Sequence, residues 1–159
     1  MLSLKPSSKP RPLSELAAAP SNPRRITADA LLGLGVSLTR FGDLSGVVLN
    51  ERTGRLVCGH QRVEALRRAG ATSWHRDGDR GWIEHPTTGE RFTVRVVSMT
   101  EREEIAANLT ANNPMIQGDF TAEALPQLAA LKVDLPEFGD LALDGLLADL
   151  SLEFPTEPA

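Results

Sequence analysis

Residues 45–70 constrain the fold most tightly, because two short β-rich runs lead at once into a helical pattern. The runs are SGVVLN and RLVC, joined by ERTG, and they predict a hairpin with Gly54 in its turn. HQRVEALRRA then shows the 3.6-residue periodicity of an amphipathic helix, which Gly70 ends. The chain is therefore expected to pass directly from a strand into a helix at Gly59.

The rest of the chain predicts a small mixed α/β or α+β domain with short strands. The pattern predicts helices over 28–40, 100–111, 121–132 and 141–150, and a second hairpin over 81–85 and 91–99. Thr27 is the expected N-cap of the first of these helices, and TERE from Thr100 is a capping box. Pro126 is expected to interrupt or restart the third, and the polar run WHRDGDRG (74–81) predicts a loop.

The helix after Gly59 carries an arginine, Arg62, at the centre of its apolar side. That side consists of Val63, Ala65, Leu66 and Ala69 on a wheel of about 100° per residue. A guanidinium does not lose its proton in a protein, so a buried one needs an anion or several acceptors. The sequence therefore predicts a negatively charged partner for Arg62.

Two partners for Arg62 fit the pattern. The free N–H groups of a helix that begins after Gly59, together with the helix dipole, attract anions, so Arg62 would complete a phosphate cradle with His60 and Gln61 at its rim. Alternatively, Asp43 or another carboxylate at a neighbouring strand end neutralises Arg62 in a structural salt bridge. The pattern alone leaves both interpretations open.

Other candidates carry weaker signals. The arm NPRR presents Arg24 and Arg25 before a helix, where they would close over a phosphate or be simply solvated. Asn108 and Asn112 lie one helical turn apart and would bind a ligand or strap the following loop. Cys58 precedes the helix, either as a thiol of lowered pKa or, more in keeping with its position, as a small buried residue.

Charge is divided unevenly along the chain. Residues 1–118 hold 16 of the 17 Lys and Arg but 12 of the 21 Asp and Glu, so the remaining 41 residues are strongly acidic. A basic body suits an anionic ligand, although solvated surfaces would look the same. One cysteine excludes a disulfide framework, and the three histidines lack zinc-ligand spacing. Without a membrane-length apolar run or signal-peptide core, a soluble cytoplasmic protein is expected.

The order of these motifs resembles the N-terminal domain of ParB-type partition proteins, in the ParB/sulfiredoxin superfamily. The resemblance rests on NPRR, a helix, and RFGDLSGVVLNERTGRLVCGHQRVEALRRAG, in which Gly59, Arg62 and Ala65 match G-x-x-R-x-x-A. It divides the chain into a flexible segment (1–12), a ParB/sulfiredoxin-like domain (13–115), a helical extension (116–150) and an acidic tail (151–159). The extension resembles short phage and prophage proteins associated with DNA methyltransferases.

The resemblance implies a nucleotide site. ParB proteins bind CTP, with the triphosphate on the turn and helix of a G-E-R-R motif, so Gly59 and Arg62 are the implied phosphate contacts. Arg24, with Arg25 beside it, belongs to the arm that reaches the nucleotide, and Asn108 matches the Asn that helps hold metal and nucleotide. The implied ligand is CTP or another nucleoside triphosphate, with or without Mg²⁺.

The chain also departs from the ParB pattern. His60 replaces the Glu of the motif, Gln61 replaces its first Arg, and Ala107 replaces the Glu before the Asn. These changes argue against ParB-like metal-dependent hydrolysis but leave nucleotide binding intact. The sulfiredoxin branch has its cysteine at the position of His60, so sulfinic-acid reduction is not expected. Residues 116–159 are too short and acidic for a helix-turn-helix domain, so sequence-specific DNA reading is not expected.

Three functions remain open from the sequence. The leading one is a nucleotide-binding module in a phage-type DNA transaction such as modification, partition or packaging, with non-specific DNA, a second copy and a phage protein as open partners. The second is an NTP hydrolase, nuclease or phosphotransferase, in which His60 would act as base with Glu64 or Asp43 nearby. The third is an adaptor whose acidic helical tail docks a DNA methyltransferase or terminase.

Overall fold

The computed structural model describes residues 9–20, 26–44, 46–111, 121–134, 139–141 and 143–154. The elements in these residues are β1 (Arg11–Pro12), a 3₁₀ turn (Leu13–Glu15), α1 (Ala28–Phe41), β2 (Val47–Asn50), β3 (Arg55–Cys58), α2 (His60–Arg68), β4 (Ser73–Asp77), β5 (Arg80–Glu84), β6 (Arg91–Val97), α3 (Glu101–Ala111), α4 (Ala124–Asp134) and α5 (Leu143–Glu153). The chain has a mixed α/β fold, which confirms the predicted fold class.

The six strands form one sheet in the order β1-β4-β5-β6-β2-β3. β2 lies parallel to β6, and the other named pairs are antiparallel. Arg11 in β1 pairs with Trp74 at one edge, whereas Ala17 bridges Arg55 at the other edge. Because only a few residues separate Arg11 from Ala17, the two edges lie near each other and the sheet is curled.

The core fills the inner side of this curled sheet and is closed by α1 and α2. Its fully buried side chains are Trp74, Phe92, Leu16, Leu56, Leu66, Ile83, Val47, Val63, Val94 and Asn50. RFTVRVV in β6 alternates exposed and buried positions, as a half-buried strand should. Aliphatic residues and a few aromatic rings therefore fill the interior, and the exposed positions of β4, β5 and β6 form the outer face.

Both predicted helix caps are present. The Thr27 hydroxyl accepts the N–H of Ala30 at 3.1 Å, and α1 ends at Gly42. At α3, the Glu103 carboxylate accepts the Thr100 N–H at 2.8 Å, while the Thr100 hydroxyl accepts the Glu103 N–H at 3.2 Å. The predicted capping box is confirmed, and it directs α3 back across β3.

The prediction of a polar loop over residues 74–81 is wrong. This stretch forms most of the β4–β5 hairpin, in which His75 pairs with Trp82 and Asp77 with Arg80 across the turn at Gly78. Few residues of this stretch face the core, and those few differ in size and polarity. The charged residues between them obscure the two-residue alternation that identifies a strand. Pairing with β1 and β6 on either side supplies the stability that local preference does not.

Three further boundaries differ from the expectation. Arg11 and Pro12, placed in the flexible segment, pair with β4. Pro126 lies in the first turn of α4, where its missing N–H costs no helical hydrogen bond, so it does not break the helix. α5 continues to Glu153, into the predicted tail. The domain divisions themselves stay a prediction, and all of NNPMIQGDF (112–120) lies outside the described residues.

Candidate functional site

Gly59 joins β3 to α2 in a conformation that other residues rarely adopt. Its φ is +89°, and a Cβ atom there would lie 2.9 Å from both the Cα and Cγ2 atoms of Val47. Replacing Gly59 would therefore have two costs. The new residue would have to adopt a left-handed backbone conformation, and its Cβ atom would clash with a backbone atom that cannot rotate away. Glycine at this position therefore allows the strand to turn sharply into the helix.

The first turn of α2 presents unpaired backbone donors. No side chain caps the helix, and its first turn contains no acidic residue. Among the described residues, none accepts a hydrogen bond from the N–H groups of His60, Gln61 or Arg62. These N–H groups and the positive end of the helix dipole favour an anion.

Arg62 is half-buried in this turn and has no partner of opposite charge. Within the described residues its guanidinium makes neither a hydrogen bond nor an ion pair. Asp43, the carboxylate predicted as its structural partner, accepts the Thr93 N–H at 3.0 Å and has its other oxygen buried without a partner. The predicted salt bridge between Arg62 and Asp43 is therefore wrong.

Cys58 lies beside the same arginine. Burial raises the pKa of its thiol, while a hydrogen bond with the backbone of Val48 and the charge of Arg62 oppose that rise. The net shift is away from the thiolate, contrary to the lowered pKa that the helix start alone suggested. Cys58 is therefore a partly buried strand residue whose thiol lies close enough to Arg62 to be influenced by its charge.

His60 connects the N-terminal segment to the start of α2. Its Nε2 atom accepts the N–H of Ala19 at 3.2 Å, which assigns the ring proton to Nδ1. Burial lowers the pKa of His60, and the charge of Glu104 partly opposes this shift. A ring nitrogen that already accepts a backbone N–H is not poised to take a substrate proton, and a catalytic role for His60 stays a prediction.

This arrangement predicts a pH-dependent loss of stability. Because the folded state lowers the pKa of His60 below its ordinary value of 6.5, the unfolded chain takes up a proton first, and the free energy of unfolding falls as the pH drops below about 6.5. Urea unfolding at pH 7.5 and 5.5 should show a larger acid loss for the wild type than for His60→Gln. Equal losses would contradict this assignment.

Some of the remaining predicted residues bond to other protein groups, and the others lie outside the described residues. Glu64, the second candidate base, forms ion pairs with Arg67 at 2.6 Å and Arg68 at 3.2 Å. Asn108 is buried and its amide donates to the Val57 carbonyl at 2.8 Å, so it holds α3 against β3. Arg24, Arg25 and Asn112 lie outside the described residues, and their roles stay predictions.

Sequence reasoning missed a buried carboxylate next to this site. Glu104 is 2% exposed, pairs with Arg55 at 2.8 Å, and accepts the Thr53 hydroxyl at 2.6 Å. The signal was present, because Glu104 and Asn108 are four residues apart and thus share one face of α3. Glu104 thus holds the start of β3 and Asn108 holds the strand near its end, two residues before Gly59.

A small cavity adjoins the cradle. Its volume is about 250 Å³, and it is bounded by Leu16, Ala18, Ile26, Leu56, His60, Gln61, Val63, Glu64 and Arg67. Ala18 and Ile26 lie on either side of the segment that contains Arg24 and Arg25. A larger apolar groove of about 610 Å³ lies between α1 and α2. It lacks the backbone donors of the cradle, so the smaller cavity is better suited to an anionic ligand.

No family model matches the sequence. No curated protein matches it either. Among solved structures, the C-terminally truncated chromosome-partitioning protein ParB from Caulobacter crescentus, complexed with CTP-γ-S, matches with a TM-score of 0.53. The two sequences are 20% identical over 82% of this chain and 64% of the other.

The chain has a ParB-like fold. This finding confirms the fold that the sequence resemblance implied, and the chain spans 64%, less than two thirds, of the ParB structure that it matches. The phage and methyltransferase-associated subtype stays a prediction. Within the described part of the chain, no helix is long and apolar enough to cross a bilayer, and no three His, Cys, Asp or Glu residues are grouped as metal ligands.

Proposed function

We propose that this protein binds a nucleoside triphosphate, with CTP as the first candidate, and that the cradle formed by Gly59 and the first turn of α2 holds its phosphates. The observation that carries the proposal is Arg62, a half-buried cation without an anionic partner among the described residues. It lies in the same helical turn as the unpaired backbone N–H groups, which select the same kind of ligand.

The position of Arg62 explains why a phosphate fits better than a neutral ligand. The backbone donors supply directional hydrogen bonds, and the guanidinium supplies a positive charge and a two-pronged donor. Gln61 is partly buried next to them and adds an amide. The ParB structure of the same fold was solved with a cytidine nucleotide analogue, which supports CTP ahead of the other bases.

The small cavity would hold only part of a nucleotide. Its volume lies below the range usual for small-molecule sites, so the phosphates would extend over the α2 terminus. Arg24 and Arg25 belong to the segment between Ala18 and Ile26, both of which line this cavity. We propose that these arginines contact the ligand from the arm, as the sequence resemblance implies, and that Asn108 acts through β3 rather than on the nucleotide.

Mg²⁺ would enter with the nucleotide. Because the described residues contain no group of three potential metal ligands, triphosphate oxygens and water would fill its coordination sphere. This fits binding better than ParB-like hydrolysis, which we do not propose. A cytoplasmic role in a phage-type DNA transaction, with DNA or a methyltransferase as partner, rests on the sequence resemblance alone.

Titration calorimetry of the full chain against CTP, ATP, GTP and UTP, each with Mg²⁺, tests the proposal. One nucleotide should bind in the micromolar range, and Arg62→Gln should weaken it by roughly 10- to 100-fold, since a charge-assisted contact contributes about 1.5–3 kcal/mol. Glutamine keeps most of the side-chain volume, so the loss would report the charge.

Arg68→Gln is the matched control, because Arg68 lies on the same helix and is exposed next to Glu64. It should change nucleotide affinity by less than threefold. If the folded wild type binds none of the four nucleotides, or if both variants weaken binding equally, the cradle does not hold phosphate and the adaptor function becomes the better interpretation.

A further inference from the structure

The outer face of β4, β5 and β6 carries cations without partners. Arg80 and Arg95 are directly opposite each other in the β5–β6 ladder, with Cβ atoms about 5 Å apart. Neither guanidinium forms a hydrogen bond or an ion pair with any described residue. Like charges directly opposite each other destabilise a sheet, so an anion bound next to this pair would relieve their repulsion.

A stacked row of planar groups crosses the same face. The rings of His75 and Trp82 stack at 4.9 Å with an angle of 10° between their planes. The Arg91 guanidinium lies 4.7 Å from the centre of the Trp82 ring. Trp82 is only half-buried, although a tryptophan would contribute more to stability if it faced the core.

The acids on this face form no ion pairs with the arginines. Asp77 is opposite Arg80 and Glu84 is opposite Arg91, yet neither acid forms an ion pair within the described residues. Arg91 and Arg95 are four residues apart on β6, a distance of about 13 Å along the strand. The arginines therefore follow β6 in a line that a flexible polyanion can track.

We propose that this outer face binds single-stranded nucleic acid. Arg80 and Arg95 would contact phosphates, while bases would stack at the ends of the row, on the His75 ring or the Arg91 guanidinium, because these two groups already lie against the Trp82 ring. A duplex hides its bases and would leave the row unused, and an acidic peptide would have no planar groups to place there. The residues of this site are separate from those of the cradle, since β4 and β5 lie on the other side of β6 from β3 in the strand order.

Fluorescence anisotropy with a labelled oligothymidine of about 20 nucleotides tests the proposal at about 50 mM salt. The full-length wild type should bind and its tryptophan emission should be quenched, with no quenching in Trp82→Phe because Trp74 is buried. Arg80→Gln combined with Arg95→Gln should weaken binding at least tenfold. The slope of log affinity against log salt should fall in magnitude by roughly 1.4, about 0.7 for each lost phosphate contact.

Arg52→Gln combined with Arg102→Gln removes the same charge from exposed sites outside β4–β6 and should change affinity by less than threefold. Arg62→Gln should leave oligothymidine binding unchanged, which separates this site from the cradle. The proposal is overturned if oligothymidine does not bind, or if the control double variant loses as much affinity. It is also overturned if a duplex of equal length or polyglutamate binds as tightly without quenching Trp82.

Discussion

Gly59→Ala should lower the free energy of unfolding by about 2–4 kcal/mol. About 1–2 kcal/mol of this is the cost of an L-residue in left-handed backbone, since the φ of Gly59 is +89°. The rest comes from the new Cβ atom, which would lie 2.9 Å from the Val47 Cα atom and must displace β2. Urea unfolding followed by circular dichroism measures the loss.

Gly54→Ala provides a matched control for the backbone term. Gly54 has a similar φ of +70°, but a Cβ atom there would meet no other atom within 4 Å. This variant should therefore lose only about 1–2 kcal/mol. Equal losses at Gly54 and Gly59 would show that close packing against Val47 does not matter.

Gly59→Ala should also impair the proposed ligand site. Moving β2 away from Gly59 shifts the first turn of α2 and therefore the unpaired N–H groups of that turn. We expect nucleotide affinity to fall even where the variant is still folded, and calorimetry below its unfolding temperature measures that fall. Unchanged affinity in a folded Gly59→Ala would contradict the cradle geometry.

Trp74→Ala should have the largest effect on stability, with a loss of about 3–5 kcal/mol. The Trp74 ring is fully buried in the sheet, and its indole N–H donates to Glu15 at 3.3 Å. It also covers Gly81, where any Cβ atom would clash with the His75 carbonyl and the Trp74 ring. Natural domains are stable by about 5–15 kcal/mol, so this variant would be marginal or unfolded at 37 °C.

The second tryptophan offers the comparison. Trp82→Ala removes a side chain of the same size from the outer face, where it is only half-buried, and should cost about 1 kcal/mol through lost stacking. Thermal unfolding by circular dichroism distinguishes the two variants without depending on tryptophan emission. Equal losses would mean that the outer face is also packed, and would weaken the proposal that it is a binding surface.

Much of the fold could be predicted from local sequence. Thr27, Gly42 and the Thr100–Glu103 box determine helix ends through short-range hydrogen bonds, so their positions follow from spacing alone. The predictions of a hairpin around Gly54 and of a helix beginning after Gly59 were also correct. These features depend on neighbours a few residues away, which is why periodicity and turn residues were sufficient.

The β4–β5 hairpin shows where local sequence was insufficient. Asp77, Gly78 and Asp79 are typical turn residues, but His75 and Arg76 are poor indicators of a strand. The conformation of β4 follows from pairing with β1, which comes from residues far away in sequence, and with β5, whose other neighbour is β6. No short window of residues contains that information.

The amino-acid sequence determined that Arg62 lies on the apolar side of a helix and that this helix begins at a glycine after a strand, because both follow from residue spacing. Only the tertiary structure decided what Arg62 meets. It placed Asp43 on the Thr93 backbone instead of next to Arg62, and it paired Glu104 with Arg55. Pairs such as Arg55 and Glu104 form between side chains that folding brings together from distant positions, so sequence spacing alone does not reveal which cation remains without a partner.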